Sequence, residues 1–166
     1  MRHGSGLPVF ATTVAAEWLD YNGHMNDAAY AIVFSRSVDA LMDRIGLDAR
    51  ARAASGQTLY TLQMMLHYFH EAKEGDRLAV ACRLLEHDDK RMRVWLDMTG
   101  ADGRTIAASE QLLLSVHRGD EGPRAAPWRA ETLAALDALR KAQSGAAHPP
   151  QAGQGVMLKR RSETAS

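Results

Sequence analysis

The chain has 166 residues, with 20 Lys and Arg against 20 Asp and Glu, and is 46% hydrophobic. This length and composition predict a single globular domain that buries enough apolar surface to fold without a disulfide or a structural metal. The balanced charge argues against nucleic acid as a partner, because that affinity depends on clustered basic residues.

The single cysteine, Cys82, cannot form an internal disulfide and indicates a reducing compartment. No apolar run approaches the roughly 20 residues of a membrane-spanning helix, and the first residues lack the apolar core of a signal peptide. We therefore predict a cytoplasmic protein that does not associate with a membrane.

The first elements in chain order are a strand and a long helix. Phe10–Trp18 is predicted to be a strand because it contains a cluster of β-branched residues. A helix is predicted from Asn26, as its N-cap, to about Arg44, since apolar residues recur at three- and four-residue steps. These apolar residues are Tyr30, Val33, Phe34, Val38, Leu41 and Ile45. A polar, alanine-rich connection is expected from the helix to Gly56.

Four further strands are predicted, at 58–70, 77–86, 91–99 and 105–117, separated by polar turns. We expect them to pair in sequence order as an antiparallel meander. In the third of these strands Met92, Val94, Leu96 and Met98 alternate with other residues, so one face should pack on the long helix. The predicted fold class is α+β, an antiparallel sheet of about five strands wrapped around one long central helix.

The last part of the chain is weakly patterned. Pro123 and Pro127 interrupt the strands, and 131–141 is predicted to be a short amphipathic helix. Residues 143–166 are rich in Gly, Pro, Gln and Ser, which predicts a mobile tail. We therefore divide the chain into a domain at 8–118, an extension with a short helix at 119–142, and a tail at 143–166.

The segment between the first strand and the long helix has polar residues at every second position. On an extended backbone Asp20, Asn22, His24 and Asn26 would line one wall. A carboxylate, an amide and an imidazole would then lie beside a helix N-terminus, which favours developing negative charge. Gly23 would let a substrate approach the backbone. The same residue types are common in turns, so this pattern alone leaves a purely structural role open.

The spacing Asp20-x-Asn22-x-His24-x-Asn26, followed by Tyr30, resembles the signature of hot-dog-fold acyl thioesterases of the 4-hydroxybenzoyl-CoA thioesterase superfamily. In the related acyl-carrier-protein thioesterases, the Asp, Asn and His of this motif belong to the catalytic site, together with a Glu on a following strand. The resemblance covers roughly residues 8–118.

A second stretch extends the resemblance. Leu66-x-Tyr68-x-x-Glu71 is similar to the segment that carries the family's Glu, and Gly75-Asp76 follows it as in many hot-dog proteins. The wider sequence, with Glu17-Trp18 before the motif and an Ala-Pro-Trp run at 126–128, resembles bacterial betainyl-CoA thioesterases of carnitine breakdown.

The resemblance implies hydrolysis of an acyl-CoA thioester to a free acid and coenzyme A. It implies Asp20 as general base or nucleophile, with His24 and Asn22 orienting water or the acyl carbonyl. Glu71 would be a second carboxylate, from the same or a partner subunit. We further expect the backbone N–H groups near Gly23–Met25 to polarise the thioester carbonyl, and Asn26 to lie at the substrate.

A betainyl group carries a fixed trimethylammonium charge, which aromatic faces can hold by cation–π attraction. The candidates for this contact are Trp18, Tyr21, Tyr68 and Trp95, and Tyr30 is a minor candidate for lining the acyl pocket. The resemblance also implies a homodimer or homotetramer with the acyl-CoA bound between subunits.

Two other functions stay open at this stage, a non-catalytic acyl-CoA-binding hot-dog module and a dehydratase of 3-hydroxyacyl thioesters. A metal site at His67-x-x-His70-Glu71 is disfavoured, because His67 and His70 would face opposite ways on a strand. The sequence contains no P-loop and no dinucleotide fingerprint. We therefore predict neither a metal nor an organic cofactor.

Overall fold

A computed structural model describes residues 6–157, which form one six-stranded antiparallel sheet and three α-helices. The strands are β1 (Leu7–Thr13), β2 (Gln57–Tyr68), β3 (Arg77–His87), β4 (Arg91–Gly100), β5 (Thr105–Gly119) and β6 (Gly122–Ala125). The helices are α1 (Asp27–Arg44), α2 (Ala49–Ser55) and α3 (Ala130–Ala142), and a single 3₁₀ turn covers Ala16–Trp18. The predicted α+β class, with a sheet around one long helix, is confirmed.

The strands of the sheet lie in the order β1-β3-β4-β5-β2, with β6 pairing the end of β5. The predicted meander is therefore right for β3, β4 and β5 and wrong for β2, which pairs with β5 rather than with β3. The connection 69–76 crosses the end of the sheet, where backbone hydrogen bonds join Val14 to Asp76 and Gly75. This crossing places β1 and β2 at opposite edges of the sheet.

Helix α1 packs its apolar side on the sheet and forms the centre of the core. Val33 and Phe34 are completely buried, and Leu41 is nearly so. The same core includes the inward-facing side chains of β4, which are Met92, Val94, Leu96 and Met98. The apolar residues that recur at helical spacing in α1 and those that alternate in β4 thus form two surfaces that pack against each other.

Three predicted local elements differ from the structure. The first strand is Leu7–Thr13 rather than Phe10–Trp18, because the chain turns at Ala16–Trp18 to reach α1. The predicted connection to Gly56 contains α2, with the Asp48 carboxylate accepting the N–H of Ala51 as N-cap and Gly56 ending it at φ 68°. Residues 122–125, expected to break the strand pattern, form β6.

Residues 143–157 contain no helix or strand, and several of them contact the sheet. The Gln143 side chain bonds both the N–H of Leu84 and the carbonyl of Cys82, and the N–H of Gly153 donates to Glu110. The rest of the predicted tail, 158–166, lies outside the described residues, and its mobility stays a prediction, as do the predicted domain boundaries.

Candidate active site

The polar segment before α1 folds as a tight turn. The N–H of Asp20 donates to the carbonyl of His24 over 2.8 Å, and the N–H of Gly23 donates back to the carbonyl of Asp20 over 3.1 Å. Leu19 and Met25 face each other in an isolated antiparallel bridge that closes the turn. Gly23 has a φ of +76°, which favours glycine. The prediction of an extended wall is therefore wrong in its geometry.

The turn nevertheless brings together the residues that the motif predicted. Asp20, Asn22, His24 and Glu71 all line one cavity of about 360 Å³. The remaining lining residues are Met25, Asp27, Tyr30, Tyr68, Phe69 and His70. The cavity is thus built between the turn, the first residues of α1 and the end of β2.

The Asp20 carboxylate organises the turn. Its Oδ1 accepts the N–H of Asn22 at 2.8 Å and the N–H of His24 at 3.2 Å. Among residues 6–157, Oδ2 of Asp20 receives no hydrogen bond from the protein. One oxygen therefore fixes the side chain, and the other is available for a proton or for a reacting carbonyl carbon.

The backbone N–H groups of the turn are already bonded within the protein. Gly23 donates to Asp20, His24 donates to the Asp20 carboxylate, and Met25 donates to the carbonyl of Ala72 at 2.8 Å. The prediction that these groups polarise the thioester carbonyl is wrong, because each has an acceptor in the folded chain.

A different N–H group is available at the start of α1. The side-chain oxygen of Asn26 caps the helix by accepting the N–H of Ala28, and the carbonyl of Asn26 accepts the N–H of Ala29. In the described part of the chain, the N–H of Asp27 finds no protein acceptor, and Asp27 lines the cavity. Asn26 itself is not among the lining residues, so its observed role is that of a helix cap.

His24 and Glu71 form a pair in the wall of the cavity. His24 Nε2 lies 3.2 Å from Glu71 Oε2, with 28% of the histidine side chain and 72% of the glutamate side chain exposed. Glu71 belongs to the loop after β2, rather than to a strand, and it reaches His24 of its own subunit. The backbone bond from Met25 to Ala72 holds this loop against the turn.

Two tyrosines form a corner of the cavity. Tyr30 is buried, and its ring meets the ring of Tyr68 edge-on, with centroids 5.2 Å apart and an interplanar angle of 89°. Burial raises the pKa of Tyr30 above its usual range, a backbone hydrogen bond with Ala72 partly offsets this, and Glu71 adds to the increase. Burial and the Asp27 carboxylate raise the pKa of Tyr68. Both rings therefore stay protonated at neutral pH.

The other predicted aromatic residues lie outside the cavity wall. Trp18 packs against the core, and the Arg36 guanidinium lies 5.5 Å above its ring. The side chain of Tyr21 is 97% exposed on the turn. Trp95 is buried beside His67, with ring centroids 5.3 Å apart, and its indole N–H donates to Asp97. Of the four predicted cation-binding rings, only Tyr68 lines the cavity.

Three lining residues were not predicted as part of the site: Asp27, Phe69 and His70. Asp27 was identifiable from the sequence, since it is the first residue after a strong N-cap and its N–H must be free at a helix start. His70 is fixed by its Nδ1, which lies 2.7 Å from the carbonyl of Thr105. This contact joins the loop after β2 to the start of β5, and no local sequence pattern shows it.

Two general features of the described residues bear on the chemistry. Within 6–157, no group of three or more His, Cys, Asp or Glu side chains is arranged to hold a metal ion. No helix in the same range is both long and apolar enough to span a bilayer.

Comparison with known proteins identifies the family. The model of a family described as the thioesterase-like superfamily matches residues 14–136, which include every residue that lines the cavity. This chain belongs to the thioesterase-like superfamily. The prediction of a thioester hydrolase from the turn motif is thereby confirmed.

Named relatives extend over nearly the whole chain. The chain is 45% identical over 154 residues to a betainyl-CoA thioesterase of Pseudomonas aeruginosa PAO1, covering 92% of this chain and 95% of that protein. It is 39% identical to an L-carnitine dehydrogenase/betainyl-CoA thioesterase of Agrobacterium fabrum C58, of which it covers 30%. It therefore matches one part of that longer protein.

Solved structures confirm the hot-dog fold. A Staphylococcus aureus protein in complex with CoA superposes with a TM-score of 0.83 at 26% identity, covering 93% of this chain and 97% of that one. A candidate thioesterase of Pseudomonas putida KT2440 superposes with a TM-score of 0.79 at 39% identity, covering 94% and 99% respectively.

Proposed function

We propose that this protein hydrolyses betainyl-CoA to betaine and free coenzyme A. The observation that carries the proposal is the cavity in which the Asp20 carboxylate, the His24–Glu71 pair and the Asp27 N–H lie together. The choice of acyl group is supported by the 45% identity to the betainyl-CoA thioesterase of P. aeruginosa.

The chemistry that the cavity must supply is modest. A thiol with a pKa of about 8.5 leaves readily as a thiolate, so the main tasks are activating water and stabilising the oxyanion. We assign the first task to the free Oδ2 of Asp20, either as general base toward water or as the attacking nucleophile. Asn22 lies in the same wall and is assigned to orienting the water or the acyl carbonyl.

The oxyanion is assigned to the N–H of Asp27. This group lies at the positive end of the α1 dipole and has no acceptor among residues 6–157, so it can donate to a developing negative charge without breaking a bond. His24 is assigned to proton transfer at the same carbonyl or water, with Glu71 holding its imidazole in place.

A homodimer is part of the proposal. Strand β2 is an outer strand of the sheet and exposes large apolar side chains, including Tyr60, Leu62 and Met64. An edge strand with free backbone groups and apolar side chains is a template for pairing with another chain. Because Tyr68 at the end of β2 also lines the cavity, a partner on this edge would lie beside the bound acyl-CoA.

The proposed dimer is tested by a substitution that introduces a charge on the exposed edge strand β2. Leu62→Lys should lower the molar mass measured by light scattering from a multiple of two chains toward one. Leu133→Lys is the matched control, since Leu133 is a similarly exposed leucine on α3. A wild-type monomer, or equal effects of both substitutions, would contradict pairing through β2.

We further propose that the enzyme acts in the cytoplasm, supported by the single free thiol of Cys82. Fractionation of cells that express a tagged chain tests this, and recovery of the chain outside the cytoplasm would reject it.

Hydrolysis is tested by following free thiol release from a panel of acyl-CoAs that includes betainyl-CoA, acetyl-CoA and 3-hydroxybutyryl-CoA. The proposal predicts catalytic release of coenzyme A, with betainyl-CoA as the best substrate. Binding without release would indicate a non-catalytic module. Formation of an enoyl-CoA from 3-hydroxybutyryl-CoA, without release, would indicate a dehydratase.

A further inference from the structure

The cavity wall has an unbalanced charge. Asp20, Asp27 and Glu71 line it, whereas no lysine or arginine of the described range 6–157 does. The donors to these carboxylates are backbone N–H groups, apart from the His24 imidazole that meets Glu71. The bound acyl group therefore meets a surface of negative charge that no fixed cation of the wall offsets.

An aromatic ring is fixed at the same place. The hydroxyl of Tyr68 donates to the carbonyl of Asp27 at 3.1 Å, and its ring packs edge-on against Tyr30. These two contacts set the orientation of the ring, while half of the residue surface stays exposed. A positioned π-face beside carboxylates is the environment that binds quaternary ammonium groups.

We propose that Tyr68, together with the carboxylates of Asp27 and Glu71, selects acyl groups that carry a quaternary ammonium next to the thioester carbonyl. This inference rests on the proposed hydrolysis. In a betainyl group the nitrogen is two bonds of about 1.5 Å from the carbonyl carbon, so its charge must lie inside the catalytic cavity. A trimethylammonium has no N–H to donate, so its binding depends on ring faces and on nearby negative charge.

Three acyl groups of similar size separate charge from shape. Betainyl-CoA is cationic, 3,3-dimethylbutyryl-CoA is its neutral isostere, and malonyl-CoA is anionic. The proposal predicts that kcat/KM falls in this order. The ratio of betainyl-CoA to the isostere should be at least about 10-fold, since the ring and the carboxylates act together.

The roles of Tyr68 and Asp27 are tested by the ratio of kcat/KM for betainyl-CoA to kcat/KM for its neutral isostere. Tyr68→Leu removes the ring and should lower the ratio by about 2- to 30-fold, the range that a cation–π contact supplies. Tyr68→Phe keeps the ring and should retain most of the ratio. Asp27→Asn should lower the ratio, whereas Asp43→Asn, an exposed carboxylate on the same helix, should leave it unchanged.

The outcomes distinguish this inference from the proposed function. Equal kcat/KM for betainyl-CoA and its isostere in the wild type would refute the selectivity alone. Equal losses on both substrates in Tyr68→Leu would show a merely structural role for the ring. No coenzyme A release from any of the three substrates would refute the hydrolysis and the selectivity with it.

Discussion

Replacing Asp20 by asparagine removes the negative charge of the side chain and keeps its size and shape. Oδ1 of Asp20 accepts the N–H groups of Asn22 and His24 at 2.8 and 3.2 Å. An asparagine Oδ1 in the same position can accept both, so the turn and the cavity should persist. The free Oδ2 is replaced by an NH₂ group, which can neither take a proton from water nor attack a thioester.

The expected losses of activity and of stability differ widely. Two hydrogen bonds to a charged acceptor become bonds to a neutral one, which should cost at most about 1 kcal/mol of unfolding free energy at this partly exposed turn. Loss of the base should lower kcat about 10²- to 10⁴-fold. At 1.36 kcal/mol for each factor of ten, that is about 2.7 to 5.4 kcal/mol of activation free energy.

Two further variants separate the turn from the chemistry. Asp20→Ala loses the charge and both hydrogen bonds, so it should show the same loss of kcat and an additional loss of about 1–2 kcal/mol in stability. Glu17→Gln, an exposed carboxylate close to the turn, should change neither.

The assay combines thiol release from betainyl-CoA with chemical denaturation of each variant. Wild-type kcat in Asp20→Asn would refute the assignment of Asp20 to the chemical step. A loss of more than about 3 kcal/mol in its unfolding free energy would show instead that the charge is needed for folding, and the kinetic result would lose its meaning.

Three other perturbations test the remaining contacts. Glu71→Gln should lower kcat about 10-fold with a smaller change in KM, because it weakens the contact that positions the His24 imidazole. Glu74→Gln, in the same loop, should change neither value. An unchanged kcat in Glu71→Gln would remove Glu71 from the mechanism. Gly23→Ala should lower the unfolding free energy measured by denaturation by about 1–2 kcal/mol. The cause is the φ of +76°, which alanine rarely adopts, since a Cβ at this position meets no neighbouring atom. Unchanged stability would show that the turn relaxes to another backbone conformation. Burial raises the pKa of Cys82 to about 12, so a thiol reagent should label the chain only after unfolding, and rapid labelling of the native protein would contradict the buried position.

The sequence by itself determined the long helix and most of the strands, and the resemblance of the Asp20-x-Asn22-x-His24 spacing to a known family implied the chemistry of the site. The helix and the strands depend on local patterns, namely a period of 3.6 in α1 and alternation in β4. Such patterns reflect backbone geometry within a few residues, which is the same in most proteins of this kind.

Tertiary structure decided how these parts meet. β2 pairs with β5 although β3 follows it in the chain, because the connection 69–76 crosses the end of the sheet. That crossing brings Glu71 to His24 and provides Ala72 as the acceptor for the N–H of Met25. Whether the N–H groups of the turn stay free depends on the acceptors that the fold provides, such as Ala72 for Met25. Only the structure could show that these groups are bonded, which leaves the N–H of Asp27 as the proposed oxyanion donor.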